Sequence, residues 1–217
     1  MQNQADTKLE ARGLECVRGD RRLFADLDLT LARSEMLYLA GANGSGKTSL
    51  LRILCGLLLP TKGEVRWQNQ PIRQLREDYH RCLVYLGHLN ALKDELTSQE
   101  NLQISASLGG AILRDSQARE ALEVFGVAHC ADLPAKMLSQ GQRRRVALSR
   151  LAVSMRTPLW ILDEPFAALD VRALAQVERL LLEHSAAGGM AVVTTHQEVA
   201  VMASAAVRID LDLVAAV

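Results

Sequence analysis

The sequence predicts an α/β fold in which helices cover a mostly parallel sheet, with an antiparallel β part and a helical part attached to it. Short runs of alternating apolar residues fill residues 9–39, as is typical of half-buried antiparallel strands. In the last third of the chain, continuous apolar strands alternate with helices, which is the pattern of parallel strands buried on both faces.

Each predicted element has a local signal. Continuous or alternating apolar residues predict strands at 36–40, 64–67, 159–162 and 190–195. Helices are predicted at 47–55, from Thr97 onward, at 115–125, at 139–153 and after Asp170. Thr97 and Glu100 have the spacing of a capping box, and Gly126 and Gly188 follow the expected helix ends.

The size of the chain predicts one domain spanning residues 1–217. Residues 9–88 and 151–217 are expected to form the core with its antiparallel part, and residues 89–150 a helical subdomain. The 25 basic and 25 acidic residues balance, so the net charge gives no basis for a protein that coats nucleic acid.

The longest apolar stretches, residues 53–59 and 199–207, are far shorter than the ~20 residues needed to cross a bilayer. We therefore expect no membrane span. The first eight residues are polar and carry no secretion signal, so we expect a protein that stays in the cytosol. The four cysteines lack the short spacings of zinc sites or small disulfide frameworks, which favours buried, reduced thiols.

The first chemical motif spans residues 41–48 and fits the phosphate-binding pattern G-x-x-x-x-G-K-[ST], between a predicted strand and a helix. Lys47 is expected to neutralise the outer phosphates during catalysis, and Thr48 to bind Mg²⁺. A glycine-rich turn with no ligand is the alternative. The predicted nucleotide-contacting residues here are Gly41, Ala42, Asn43, Gly44, Ser45, Gly46, Lys47, Thr48 and Ser49.

The second motif is a pair of carboxylates, Asp163 and Glu164, at the end of an apolar strand, where parallel sheets bind ligands. Asp163 is expected to hold Mg²⁺ through water. Glu164 is expected to orient or deprotonate the attacking water. An acidic pair that caps a helix before Pro165 is the alternative.

The third motif, Leu-Ser-Gln-Gly-Gln at residues 138–142, opens a predicted helix. With it, the chain resembles ABC-type ATPases, which implies the ABC form of the P-loop NTPase fold, the cofactors ATP and Mg²⁺, and a homodimer. The resemblance also implies that Ser139, Gln140, Gly141 and Gln142 face ATP held by the second copy. Asp170 then lies in the loop that follows the carboxylates, and His196 senses the γ-phosphate as a further catalytic residue.

The chain departs from the usual ABC pattern at several positions. Arg18 stands where an aromatic residue usually stacks on adenine, and an arginine plane can stack on a base as well. His88 stands where the family has glutamine; we expect it to hydrogen-bond to water or contact a partner rather than bind Mg²⁺. The three arginines at 143–145 are expected to form a solvated and interface face rather than a nucleic-acid site.

Segments outside the ATPase motifs resemble a narrower family, the CcmA ATP-binding subunits of bacterial haem export in cytochrome c maturation. They are residues 16–24, 63–68, 79–80, 86–88 and 160–162. This resemblance implies integral membrane partner subunits and a peripheral position on the cytoplasmic face of the inner membrane. Nothing in the composition or periodicity indicates haem. A transporter ATPase for another substrate, a soluble ABC clamp and a P-loop kinase remain alternatives, although the third motif argues against the kinase.

Overall fold

The computed structural model describes residues 7–196 and 206–214. The strands are β1 (Lys8–Arg18), β2 (Arg21–Ala32), β3 (Met36–Ala40), β4 (Lys62–Trp67), β5 (Gln70–Pro71), β6 (Leu83–Leu86), β7 (Leu159–Asp163), β8 (Met190–Thr194) and β9 (Ala206–Asp210). The helices are α1 (Lys47–Leu54), α2 (Ile72–Leu75), α3 (Glu77–Arg81), α4 (Ser98–Leu108), α5 (Asp115–Val124), α6 (Gln140–Val153), α7 (Val171–Ala186) and α8 (Leu211–Val214).

The strands form two sheets. One is parallel, in the order β6-β7-β8-β3-β9, and the other is antiparallel, in the order β2-β1-β4-β5. This confirms the predicted fold class, with a parallel core and an antiparallel part.

The central strands of the parallel sheet are buried on both faces because their side chains alternate between two apolar cores. In β7, Leu159 and Ile161 face the core shared with α1 and the antiparallel sheet. Trp160 and Leu162 face the other core, shared with α5, α6 and α7. The parallel sheet is therefore the layer that joins the antiparallel part to the helices.

Helices α4, α5 and α6 pack on one another beside the parallel sheet. The capping box of Thr97 and Glu100 is present, and Gly126 adopts a left-handed φ of 67° after α5, both as predicted. Helix α6 runs to Val153, so it crosses the predicted boundary at residue 150. The exact domain division stays a prediction.

Several elements differ from their sequence-based description. Strands β1 and β2 are continuous strands of 11 and 12 residues rather than short runs, and the register of their pairing shifts at several points. The sequence analysis did not predict β5, β6, β9, α2, α3 or α8. These elements have too few residues for an apolar periodicity to be recognised. Strand β9 also depends on pairing with β3, which lies far earlier in the sequence.

The four cysteines are free thiols, and burial raises the pKa of each. Cys16, Cys55 and Cys130 are buried as predicted. The prediction was wrong for Cys82, which is only partly buried because it lies between α3 and β6. No helix within residues 7–196 and 206–214 is long and apolar enough to cross a membrane.

The buried imidazole of His184 packs α7 against the parallel sheet. It stacks on Trp160 with ring centroids 3.9 Å apart and planes 3° apart, and Nε2 lies 3.3 Å from the carbonyl oxygen of Met190. Gly189 passes so close that a Cβ there would overlap the ring. Burial lowers the pKa of His184, so the folded protein favours the neutral ring.

The free energy of unfolding should therefore fall as the pH drops below about 6.5, the ordinary pKa of histidine in an unfolded chain. Above that pH the ring is neutral in both states, whereas below it only the unfolded chain readily takes the proton. Urea unfolding between pH 7.5 and 5 measures the effect. His184→Phe, which keeps a stacked ring, should lose stability less steeply on the acid side.

The matched control is His129→Phe, since His129 is exposed. It should show the same pH dependence as the parent. Equal acid-side slopes for the parent and His184→Phe would contradict the role given to His184.

Candidate functional site

The loops that follow β3, β6, β7 and β8 meet at one edge of the parallel sheet, because the carboxyl ends of parallel strands all lie at the same edge. They surround a cleft of about 540 Å³. The predicted site residues that line it are Arg18, Asn43, Gly44, Gly46, Lys47, Thr48, Ser49, His88, Asp163, Glu164 and His196.

The phosphate-binding loop is shaped by glycines with positive φ. Gly46 has φ 108° immediately before α1, and a Cβ there would lie only 3.1 Å from the side chain of Leu23. Gly41 has φ 138°, and its Cβ would lie 2.6 Å from Ser45 Oγ. Larger residues at either position would disturb this loop, whose amides and adjoining helix start favour an anion.

Lys47 is buried and folds back over this loop. Its Nζ donates to the carbonyl oxygens of Gly41, at 2.7 Å, and Ala42, at 3.0 Å. Ser45 Oγ is buried and has no hydrogen-bond partner within the described part of the chain. A cation and an unpaired hydroxyl in one loop are chemically suited to phosphate.

The far end of the chain also holds the phosphate-binding loop. Ala42 N donates to Asp212 Oδ2 at 2.7 Å, so α8 fixes the first turn of the loop. Sequence reasoning missed Asp212, since nothing in the local pattern around it indicates a contact with residues so far away in the chain.

Thr48 and Asp163 form the oxygen pair predicted to bind metal. Thr48 Oγ1 donates to Asp163 Oδ2 at 2.9 Å, although Thr48 lies on α1, after β3, and Asp163 is the last residue of β7. Thr194 Oγ1 donates to the second carboxylate oxygen, Oδ1, also at 2.9 Å. A hydroxyl and a carboxylate at the floor of a cleft are the hard oxygen ligands that Mg²⁺ prefers.

Glu164 leaves the strand in a left-handed turn, with φ 52°. Its amide N donates to Thr194 Oγ1 at 3.0 Å, and its carboxylate faces His196. His196 N donates to Oε2 at 3.3 Å, and His196 Nε2 lies 3.4 Å from Oε1. The neighbouring carboxylates therefore point to different partners, and the structure brings Glu164 and His196 together.

Thr194 is a residue of the candidate site that sequence reasoning missed. One hydroxyl bridges the carboxylate of Asp163 and the backbone of Glu164. The only signal available was a polar residue at the end of an apolar strand, and that signal does not distinguish a bridge from a strand terminus.

The residues of the third motif do not line this cleft in the same chain. Ser139 caps α6: its Oγ accepts from Gln142 N at 3.2 Å, and Gln142 Oε1 accepts from Ser139 N at 2.9 Å. Asp170 likewise caps α7 by accepting from Ala173 N, and it pairs with Arg145 at 2.7 Å. One chain therefore presents these residues away from its own phosphate-binding loop.

The expectation that residues 143–145 form a solvated face was wrong for Arg144, which is 8% exposed. Arg143 and Arg145 are partly exposed, as the ion pairs of Arg143 with Asp94 and of Arg145 with Asp170 allow. Arg144 points inward because its place on α6 faces the turn at Glu164 and the loop at Asn90 rather than solvent.

Comparison with known proteins decides the family. The ABC transporter family pattern matches residues 24–167. The chain belongs to the ABC transporter family. This ABC ATPase is 53% identical to the cytochrome c biogenesis ATP-binding export protein CcmA of Nitrosomonas europaea over 88% of the chain and 89% of that protein. It is 50% identical to CcmA of Nitrosospira multiformis over 94% of the chain and 98% of that protein. It is therefore a member of the CcmA family.

Solved ABC structures share its fold. An ABC transporter ATP-binding protein from Pyrococcus furiosus superposes with a TM-score of 0.79 at 26% identity, covering 95% of this chain and 98% of that one. The dimeric ATP-binding cassette MJ0796, bound to ADP and phosphate, superposes with a TM-score of 0.76 at 25% identity over 87% and 88% of the two chains. The ABC form of the P-loop fold is confirmed, and a domain of this family binds nucleotide.

Replacing Thr194 by valine should destabilise the nucleotide-free protein by about 1–3 kcal/mol, because the shape is kept while a buried carboxylate oxygen and a backbone amide lose their partner. Thermal unfolding of the parent and of Thr194→Val measures it.

Thr30→Val is the control, since Thr30 lies exposed on β2. It should change stability by less than about 0.5 kcal/mol. A melting temperature of Thr194→Val equal to that of the parent would show that the hydroxyl bridge contributes little.

Proposed function

We propose that the chain hydrolyses Mg-ATP as a subunit of a membrane export complex in cytochrome c biogenesis. The observation that carries the proposal is the meeting of Lys47, Thr48, Asp163, Glu164 and His196 in one cleft of a CcmA-family chain. The haem part of the assignment rests on family resemblance, since no residue pattern in this chain indicates haem.

ATP phosphates fit the loop at residues 41–49, where Lys47 can turn from the loop carbonyls to the outer phosphates. Thr48 and Asp163 would hold Mg²⁺, Thr48 directly and Asp163 through water. The metal supplies positive charge to the phosphate oxygens when it is bound. The hydrogen bond from Thr194 keeps one oxygen of Asp163 occupied, so the other oxygen turns toward Thr48.

Glu164 is the group that prepares water. Its carboxylate is 17% exposed, enough to reach a water in the cleft and sheltered enough to stay fixed. A carboxylate oxygen accepts the proton as the water oxygen bonds to the γ-phosphorus, and the bond from that phosphorus to the bridging oxygen of ADP breaks. His196, hydrogen-bonded to the same carboxylate, is placed to contact the γ-phosphate.

The complete site needs a second copy. The start of α6, with Ser139, Gln140, Gly141 and Gln142, is a helix N-terminus that favours an anion and lies outside the cleft of its own chain. In a homodimer it would close on the γ-phosphate held by the other copy, with Asp170 at the same interface. ADP lacks that phosphate, so ATP and not ADP would hold the dimer shut.

Arg18 and His88 lie on opposite parts of the rim. Arg18 is exposed at the end of β1, where its planar guanidinium can stack on the adenine base. His88 follows β6 and is exposed, in reach of water or of a partner subunit. We propose the cytoplasmic face of the bacterial inner membrane as the place of action, with integral membrane subunits bound there and no nucleic acid.

Glu164→Gln should lower ATP turnover at least ~100-fold, because the amide cannot take the proton from water. ATP binding should persist, so the variant should accumulate as an ATP-bound dimer on size-exclusion chromatography with Mg-ATP. A monomer with near-normal hydrolysis would overturn the role of Glu164.

The contrasting variant is Lys47→Ala, which removes the positive charge from the phosphate-binding loop. It should weaken ATP binding itself and prevent dimer formation. Unchanged affinity in a nucleotide titration would count against the role of Lys47.

The membrane assignment predicts that the tagged chain, extracted from bacterial membranes in mild detergent, carries integral membrane subunits with it. Mass spectrometry identifies them, and the absorption spectrum of the purified complex reports haem. The Lys47→Ala chain is the control for ATP dependence of the assembly. Recovery with ribosomes or DNA, and without membrane subunits, would favour a soluble ABC clamp instead.

A further inference from the structure

Arg144 is a buried cation that the roles assigned above do not use. It is 8% exposed, and no carboxylate lies within ion-pair distance of its guanidinium among the described residues. Its Nη2 donates to the backbone carbonyl oxygen of Glu164 at 2.5 Å, and its Nη1 donates to Asn90 Oδ1 at 3.3 Å. Burying a charge raises the free energy of the folded protein unless polar groups around the charge compensate for the lost water.

Polar groups at the end of β7 and in the loop after β6 provide this compensation. Burial lowers the pKa of Arg144, while the nearby carboxylates of Asp163 and Glu164 favour its charged form. The two acceptors of its hydrogen bonds lie on separate loops, one after β6 and one after β7. The guanidinium, with donors fixed in one plane, can bridge both at once.

The contact with Glu164 meets a backbone that needs support. A left-handed φ is unfavourable for a residue with a side chain, and such conformations persist where the surroundings hold them. Thr194 holds the amide of Glu164 from the sheet, and Arg144 holds its carbonyl from α6. The direction of the Glu164 carboxylate therefore depends on both contacts.

The position of Arg144 also matters along α6. It lies five residues, or about 1.4 helical turns, after Ser139, the residue that caps this helix. Asn90, its other partner, follows His88 by two residues in the loop after β6. A displacement of the start of α6 would thus reach the turn at Glu164 through one side chain.

We propose that Arg144 is a positioning residue that holds the turn at Glu164 and links it to the helix opened by the third motif, residues 138–142, called the Ser139 motif below. The proposal rests on the role of Glu164 given above. We expect Arg144 to affect the rate of hydrolysis and not the affinity for nucleotide, because its side chain contacts Glu164 and Asn90 rather than the phosphate-binding loop.

The test compares Arg144→Gln with Arg144→Lys in steady-state hydrolysis and in titration with a fluorescent ATP analogue. Arg144→Gln should lower kcat about 10- to 100-fold, the scale of one charge-assisted hydrogen bond. KM and analogue affinity should stay within about twofold. Arg144→Lys, which keeps the charge but can reach only one acceptor well, should recover part of kcat.

Arg143→Gln is the matched control. Arg143 is the preceding residue of α6, but it donates to Ala135 O and pairs with Asp94, away from Glu164. It should keep kcat within about twofold of the parent. Thermal melts of all three variants report whether each remains folded.

A second arm shows whether Arg144 acts through Glu164. Single-turnover hydrolysis by Glu164→Gln should not fall further when Arg144→Gln is added, since two changes on one path are not additive. A parent-like kcat for Arg144→Gln beside a slow Glu164→Gln overturns this inference alone. A joint loss of kcat, affinity and melting temperature in both Arg144 variants also overturns it. A parent-like rate for Glu164→Gln contradicts the proposed function instead.

Discussion

The buried carboxylate of Asp163 is the interaction on which the rest of the cleft depends. It is 3% exposed, and each of its oxygens accepts a hydroxyl hydrogen bond, from Thr48 at the start of α1 and from Thr194 at the end of β8. A carboxylate in such a position is costly unless it is hydrogen-bonded. Meeting that requirement ties three chain segments together at one edge of the parallel sheet.

The turn at Glu164 extends the same arrangement one residue further. Thr194 serves both neighbours, so the ends of β7 and β8 position Asp163 and Glu164 as a unit. The helical part contributes the other support, through Arg144 of α6. The subdomain that carries the Ser139 motif is therefore in physical contact with the proposed base of its own chain, as well as suited to face the nucleotide of a second chain.

Under the proposed function, a single chain holds only part of the site. The phosphate-binding loop, Asp163 and Glu164 share a cleft, whereas Ser139 and Asp170 cap helices outside it. The dimeric state of the cassette MJ0796, a structural relative of this chain, is consistent with a site completed by association. Cooperation between copies would follow from such a dimer, since under the proposed function each copy would hold one half of two sites.

The sequence by itself determined the parts whose signal is local. The glycine spacing of residues 41–48, the apolar run that ends in Asp163 and Glu164, and the capping pair Thr97 and Glu100 each act over a few neighbouring residues. The apolar patterns also predicted the fold class. Strands buried on one face show alternating apolar residues, and strands buried on both faces show continuous apolar runs. The family resemblance added His196 and the Ser139 motif.

Only the tertiary structure decided which distant residues meet. The bridge from Thr194, the contact of Asp212 with Ala42 and the inward direction of Arg144 join segments that are far apart in sequence. Arg144 lies four and seven residues before the buried Leu148 and Leu151, so helical spacing places it on the apolar face of α6, but that spacing does not identify Glu164 as its partner. The choice of partner follows from how α6 lies against the turn at Glu164, and that packing joins residues too far apart in the chain for a local pattern to predict.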